Sequence, residues 1–226
     1  MEAVALLHLL QLASPALPIG GYSYSQGLES AMAVGLVTDA ASARCWIADH
    51  LHNVMAQFEA PILWRLLAAF AQHNGSAVID WSACFVAARD TAEFRAETIQ
   101  MGYSLGKLLT ELLPEATTLL ALLAQVPELP FPTAYACAAV ALDIDPAAAL
   151  LAMLFAWTEN QVLVCVKSVP LGQVAGQRML LSLQPDIAAA TLHAQHLDQS
   201  DLSCWAPGLS HLSMRHEDQY SRLYRS

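Results

Sequence analysis

The sequence predicts an all-α fold, one helical-bundle domain of roughly ten helices with a polar C-terminal tail. Three observations carry this. The 226 residues are 56% hydrophobic but only 8% aromatic, so Ala and Leu, both strong helix formers, dominate the apolar set. Apolar residues recur at helical spacing along most of the chain, and strand patterns hardly appear. No repeat, low-complexity tract or linker divides a length that suits one generous domain. The domain is assigned to residues 1–212 and the tail to 213–226.

After an opening loop, Tyr22 to about Ala33 reads as a short helix that stops near Gly35. Thr38 with Asp39 offers an N-cap for a long helix through Trp46, Val54, Phe58 and Leu67. Pro61 lies inside that pattern, which predicts a kink or break. The stretch 73-HNGS-76 closes it, and Ser76 can cap the next helix, about 77–89, with Val78, Trp81 and Phe85 on one face. Residues 90–113 follow as a long helix capped by Asp90 or Thr91 and ended at Pro114. A helix near 115–124 precedes the proline-rich loop 127-PELPFP-132. Further helices are expected near 133–142, 147–167, 172–183 and 185–198, with Asp145 before Pro146 as a cap and first turn. The run 147–157 is apolar all round and belongs at a bundle centre. The Val-rich piece 161-QVLVCVKSV-169 is the one place a strand competes; continuity without a breaker keeps it helical.

Charge and composition exclude several classes. A net charge of −10 argues against nucleic acid, whose binding needs clustered Lys and Arg. Charged residues make up only 13%, about half the usual share, so partners are expected to cover some apolar surface. The apolar start 1-MEAVALLHLLQLASPA-16 lacks a basic flank, and 158-TEN-160 interrupts the run 147–157, so neither reads as an export or membrane element. The five cysteines are far apart, contain no C-x-x-C and read as buried, reduced thiols of a cytosolic protein. No phosphate-binding loop, H-E-x-x-H or EF-hand pattern occurs, and no cofactor is expected. His50 and His52 fall on different helix faces; His193, His196 and Asp198 form a weak metal candidate against the plainer reading of a solvated face.

The stretch 14-SPALPIGGYSYSQGLES-30 raises the question of a nucleophile. In 21-GYSYS-25 a serine replaces the second glycine of a nucleophile elbow, and Pro15 and Pro18 deny the strand an elbow requires. Stiffening prolines, the turn-permissive Gly20 and Gly21, and the small Gly27 instead describe a shaped corner suited to contact with another chain. In 170-PLGQVAGQR-178, Pro170 and Gly172 break the preceding helix. Gly172 and Gly176, like Gln173 and Gln177, then fall one turn apart; with Arg178 they suggest a partner surface, though an internal seam explains the glycines equally well. The same spacing recurs at Gly102 and Gly106, beside a possible Arg89–Glu93 pair, and reads there as an ordinary amphipathic helix. The tail 213-SMRHEDQYSRLYRS-226 is too polar to fold alone, yet it is rich in Tyr and Arg, the residues of binding hot spots.

Together, 12-LASPALPIGGYSYSQGLE-29, 170-PLGQVAGQR-178 and 215-RHEDQYSRLYRS-226 resemble the signature segments of the UreF family of urease accessory proteins. The stretches 94-FRAETIQMGYSL-105 and 59-EAPILWRL-66 are similar to that family too. The resemblance implies an all-α, dimeric, non-catalytic cytoplasmic chaperone. It implies partnership with UreD (UreH), with the GTPase UreG and with the urease apoprotein, assisting nickel delivery to an active site that also needs a carbamylated lysine. The tail, Arg215, His216, Glu217, Tyr220, Arg222, Leu223, Tyr224 and Arg225 to Ser226, is expected to dock UreD. Tyr224 stands where the family's ending has Phe. Pro18, Gly20, Gly21, Tyr22, Ser23, Gln26 and Glu29, with Gly172, Gln173, Gly176, Gln177 and Arg178, are the further expected partner contacts.

Overall fold

The computed structural model describes residues 2–169 and 171–225; Pro170, read above as a helix breaker, and Ser226, at the end of the tail, lie outside the described residues. The chain is all-α, and the described residues contain no strand. In order the helices are α1 (Ala3–Ala13), α2 (Leu28–Ala33), α3 (Ala40–His50), α4 (Ala60–Ala71), α5 (Gly75–Ala87), α6 (Ala92–Leu112), α7 (Thr117–Leu123), α8 (Phe131–Ala141), α9 (Pro146–Ser168), α10 (Gln173–His196) and α11 (Pro207–Arg215). A π-helical stretch, Leu51–Glu59, joins α3 to α4 without a break.

Several starts follow from the cap chemistry expected. Asp39 accepts from the Ser42 amide in a reciprocal capping box. Thr91 Oγ1 accepts from the Phe94 amide, and Asp145 accepts from the Ala148 amide with Pro146 in the first turn. Before α5 the cap is Asn74 and not Ser76: the Ala77 amide donates to the Asn74 side chain, and the helix begins two residues earlier than expected.

Other departures have physical reasons. The run 3–13, which carried no cap signal, forms α1 and packs on α9, with Leu12 buried and His8 Nδ1 3.2 Å from the Leu142 carbonyl. Tyr22 does not start a helix. Positive φ at Gln26 and Gly27 delays α2 to Leu28. Pro61 leaves the helical path intact, because the Gln57 carbonyl, which an N–H at position 61 would meet in an α-helix, accepts from the Ser203 amide instead. Pro185 likewise sits inside one continuous α10, not between two helices. The Val-rich stretch 161–168 is helical, as the last two turns of α9.

Two apolar clusters fill the interior. The larger gathers Leu63, Leu66 and Phe70 of α4, Phe85 of α5, Tyr135 of α8, and Leu150 and Leu154 of α9. The smaller lies under the other end and joins Leu28, Ile47, Val162, Met179, Leu212 and Tyr224. Gly102 and Gly106 serve the interior: a Cβ at Gly102 would sit 2.1 Å from the Leu129 carbonyl oxygen, and one at Gly106 2.8 Å from the Leu129 side chain. Two helical stretches, 40–71 and Pro146–Ser168, are long and apolar enough to cross a membrane, but more than half of the most apolar part of each is buried inside the domain.

Only Cys137 and Cys165 are buried, and burial pushes both thiols up to about 12. Cys45, Cys84 and Cys204 are exposed, contrary to expectation. Arg89 pairs not with Glu93 but with Glu59, at 2.6 Å across two elements, its guanidinium 4.3 Å from the Phe85 ring centre.

Candidate partner-recognition site

The chain between α1 and α2 makes the expected corner. Gly20, at φ +78°, turns the chain into a 3₁₀ turn over Gly21–Ser23. That turn is closed by the Ser23 hydroxyl, which donates to the Gly20 carbonyl at 2.7 Å. Ser25 is fully buried, and its oxygen accepts from the Glu29 amide at 3.3 Å. Both serines therefore build the corner. Asn160 of α9 grips it from below by donating to the carbonyls of Gly21 and Tyr24. Gln26 uses its whole amide: it donates to Glu97 at 2.7 Å and accepts from the Trp157 indole at 2.6 Å.

The tail, nearly two hundred residues later in the chain, closes over this corner. Ser213, in the last turn of α11, bonds Thr91 at 2.9 Å, and Ser210 bonds Asp90. A Cβ on Gly27 would touch Leu209 at 3.0 Å, so the corner and α11 meet closely. Glu29 is the centre of the closure. One of its oxygens lies 3.0 Å from His216 Nε2 and accepts from the Tyr224 amide; the other accepts from the Leu223 amide at 2.7 Å. The Arg225 amide donates to the Ser23 carbonyl at 2.8 Å. Burial pushes the Tyr24 phenol up, and its hydrogen bond to Arg225 offsets part of that rise. Arg222 folds back onto the carbonyls of Glu217 and Gln219.

Glu29, His216 and Tyr224 accordingly face inward and shape the tail. Pro18, Tyr22, Arg215, Glu217, Tyr220, Arg222, Leu223 and Arg225 face solvent, with Leu223 71% and Tyr22 62% exposed and Tyr220 fully so. Gly20, Gly21, Ser23 and Gln26 are half-buried. Glu217 stands beside Glu93, whose hydrogen bond and charge raise its carboxyl above the ordinary value.

The Gly172–Arg178 segment opens α10. Gly172, Gln173, Gln177 and Arg178 are exposed, whereas Gly176 is buried, with room for no Cβ because Val166 would lie 2.5 Å away. Gly176 is thus part of the α9–α10 seam. Val169 and Met179, flanking the segment, share the smaller apolar cluster with Tyr224 and Leu28. Three stretches far apart in sequence therefore converge on one cluster.

Beneath the corner lies a cavity of about 160 Å³, lined in part by Tyr22, Gln26, His50, Glu59, Arg89 and Glu97. His50 packs edge-on to Trp157 at 4.8 Å, and burial lowers its pKa to about 4, which keeps the ring neutral. His50 Nδ1 and Arg89 Nε are buried without a hydrogen-bond partner. Sequence reasoning missed this layer. Its one available signal was 158-TEN-160, three polar residues inside an apolar helix. Elsewhere, His193 Nε2 lies 3.3 Å from Gln57 Oε1 and His196 Nδ1 lies 2.8 Å from the Leu192 carbonyl. The described residues contain no group of three His, Cys, Asp or Glu side chains placed to hold a metal.

An exposed Tyr, Leu and Arg surface, set on a helical domain whose corner serines serve the backbone, defines a helical interaction protein. The UreF family profile matches residues 37–184. Over its full length the chain is 65% identical to the urease accessory protein UreF of Janthinobacterium sp. (strain Marseille), covering all of both chains. It is 58% identical to UreF of Nitrosospira multiformis over 225 residues, covering 100% of this chain and 99% of that one. With UreF of Delftia acidovorans it shares 48% identity, covering 96% and 95%. The chain belongs to the UreF family and, like these relatives, is a urease accessory protein and not an enzyme. The corner and the tail lie outside the profile match but inside the full-length alignments.

Proposed function

We propose that this chain is a non-catalytic, cytoplasmic assembly factor for urease maturation. In this reading it joins UreD (UreH) and the GTPase UreG, as a homodimer, in a complex that assists nickel delivery to the urease apoprotein. The observation that carries the reading is the corner closed by the tail: Glu29 fixes the backbone at Leu223 and Tyr224 while Tyr220 and Leu223 point outward. A surface that spends buried polar contacts to present apolar and aromatic side chains is built to be touched. UreD is assigned to the tail. The GTPase is assigned to the exposed residues of the corner and of Gly172–Arg178, Tyr22 and Arg178 first among them.

The test is urease activity, with nickel content of the purified urease, in nickel-fed cells carrying the urease genes with and without this chain. Activity and nickel are expected to fall together while urease protein persists; unchanged values would sink the reading. Tyr220→Ala with Leu223→Ala is expected to abolish co-purification with UreD without unfolding the chain.

A further inference from the structure

Two of the exposed cysteines, Cys84 of α5 and Cys204 between α10 and α11, are brought together by contacts their neighbours make. The segment 197–204 is tied at two points to groups that also touch α5. At one end Arg65 donates to the Leu197 carbonyl at 2.7 Å, while its guanidinium lies 5.4 Å from the centre of the Trp81 ring. At the other the Ser203 amide donates to the Gln57 carbonyl at 3.2 Å, and the ring of Phe58, next in the chain, stacks on Phe85 at 6.0 Å. Between the ties, the turn Gln199–Asp201 shortens the path and Leu202 packs on the larger apolar cluster. Cys84 stands one turn after Trp81 and directly before Phe85; Cys204 directly follows Ser203. Phe85, Ala88 and Cys204 line the same cavity.

We propose that Cys84 and Cys204 are an oxidation site, forming a reversible disulfide that ties the α10–α11 connection to α5. Burial raises the Cys84 thiol above its ordinary value, and the charge of Cys204 raises it further, so the two sulfurs lie within electrostatic reach. At neutral pH Cys84 therefore keeps its proton. Cys204, beside Trp205, which is 80% exposed, is the sulfur that an oxidant meets first.

Hydrogen peroxide completes the chemistry. The Cys204 thiolate attacks one peroxide oxygen, the O–O bond breaks, and the departing hydroxide takes up a proton as water, leaving a sulfenic acid. The Cys84 sulfur then attacks the sulfenic sulfur, and its proton leaves with the displaced hydroxide as a second water. Two thiols and one peroxide thus give one disulfide and two waters. Leu209 and Ser210 of α11 line the cavity as well, so the bond fixes the wall from which the tail departs. In a reducing compartment such a bond is transient and reports oxidant.

Trypsin separates the exposed cysteines, because Cys45, Cys84 and Cys204 fall in the peptides 45–65, 66–89 and 179–215. The purified full chain is treated with a slight excess of hydrogen peroxide, alkylated with iodoacetamide, digested and read by mass spectrometry. Peptides 66–89 and 179–215 are expected to be joined within one chain and released by dithiothreitol, while Cys45 stays unpaired. The oxidised chain should melt about 5 °C above the reduced one. Cys84→Ser, and independently Cys204→Ser, should abolish both the joined peptides and the shift. Oxidation of both sulfurs to sulfinic acid without pairing, Cys45 joining either as often, or a bond that runs between two chains on a non-reducing gel overturns the site. A bond that leaves the melting temperature unchanged overturns the restraint on the α10–α11 connection.

Discussion

Leu63, Leu66 and Phe70 of α4 meet α5, α8 and α9 through carbon contacts spread over dozens of residues, whereas the corner at 14–30 is held to the tail chiefly through one carboxylate. In the first region no single atom decides the geometry, and damage scales with the volume changed. In the second, Glu29 fixes His216 and the amides of Leu223 and Tyr224 at once. The interior therefore sets whether the chain folds, and the clasp sets which shape its exposed tail takes.

The strongest way to break the interior is to put volume where backbone stands. Gly102→Val forces carbon into the Leu129 carbonyl, which cannot yield as a side chain tip would. A loss of about 4 kcal/mol or more is expected, beyond ordinary overpacking, read as a collapse of the urea midpoint or of soluble yield.

The clasp should break differently. Glu29→Ala leaves a buried imidazole and two amides without their acceptor, at a cost of about 3 kcal/mol. Helix content should persist while trypsin cleaves at Arg215, Arg222 and Arg225 much faster than in the parent. If tail and core instead melt together with no gain in cleavage, the two regions are one unit and the contrast fails.

Acid should expose a third, smaller difference. Burial is the main cause that lowers the His50 pKa from 6.5 to about 4, with Arg89 lowering it further and Glu59 opposing. Between those values the unfolded chain binds the proton and the folded chain does not, so stability rises with pH. The contribution is complete above pH 6.5 and is lost as pH falls through about 4; at most it is roughly 3 kcal/mol. His50→Gln should flatten that part of the stability–pH curve, which thermal melts from pH 7 to 4 would show. Smallest of all, Tyr220→Ala should move stability by less than about 0.5 kcal/mol, because its ring touches solvent only.

What could be read in advance follows the range of the interaction. Asp39, Thr91 and Asp145 act on amides three residues away, so their caps were visible in the sequence. Pro61 looked like a break because its rescue is not local: the Gln57 carbonyl it frees meets the Ser203 amide from across the fold. Gly176 read as a possible partner contact because its occupant, Val166, lies on another helix. The tail's Tyr and Arg marked it as a surface, but nothing near Glu29 announced that its carboxylate would be buried by His216. Composition names a surface; only distant pairing reveals what holds it.

The closure at Glu29 also has an order in time. Its contacts to His216, Leu223 and Tyr224 span 187, 194 and 195 positions along the chain. Sequence-neighbouring helices such as α9 with α10 and α4 with α5 pair within a few dozen residues, whereas the contacts of Glu29 must close nearly the whole chain and carry the larger loop-closure cost. The tail is therefore expected to be among the last parts of the molecule to settle during folding. In that order, a corner closed by the tail reports that the helices beneath it have already packed.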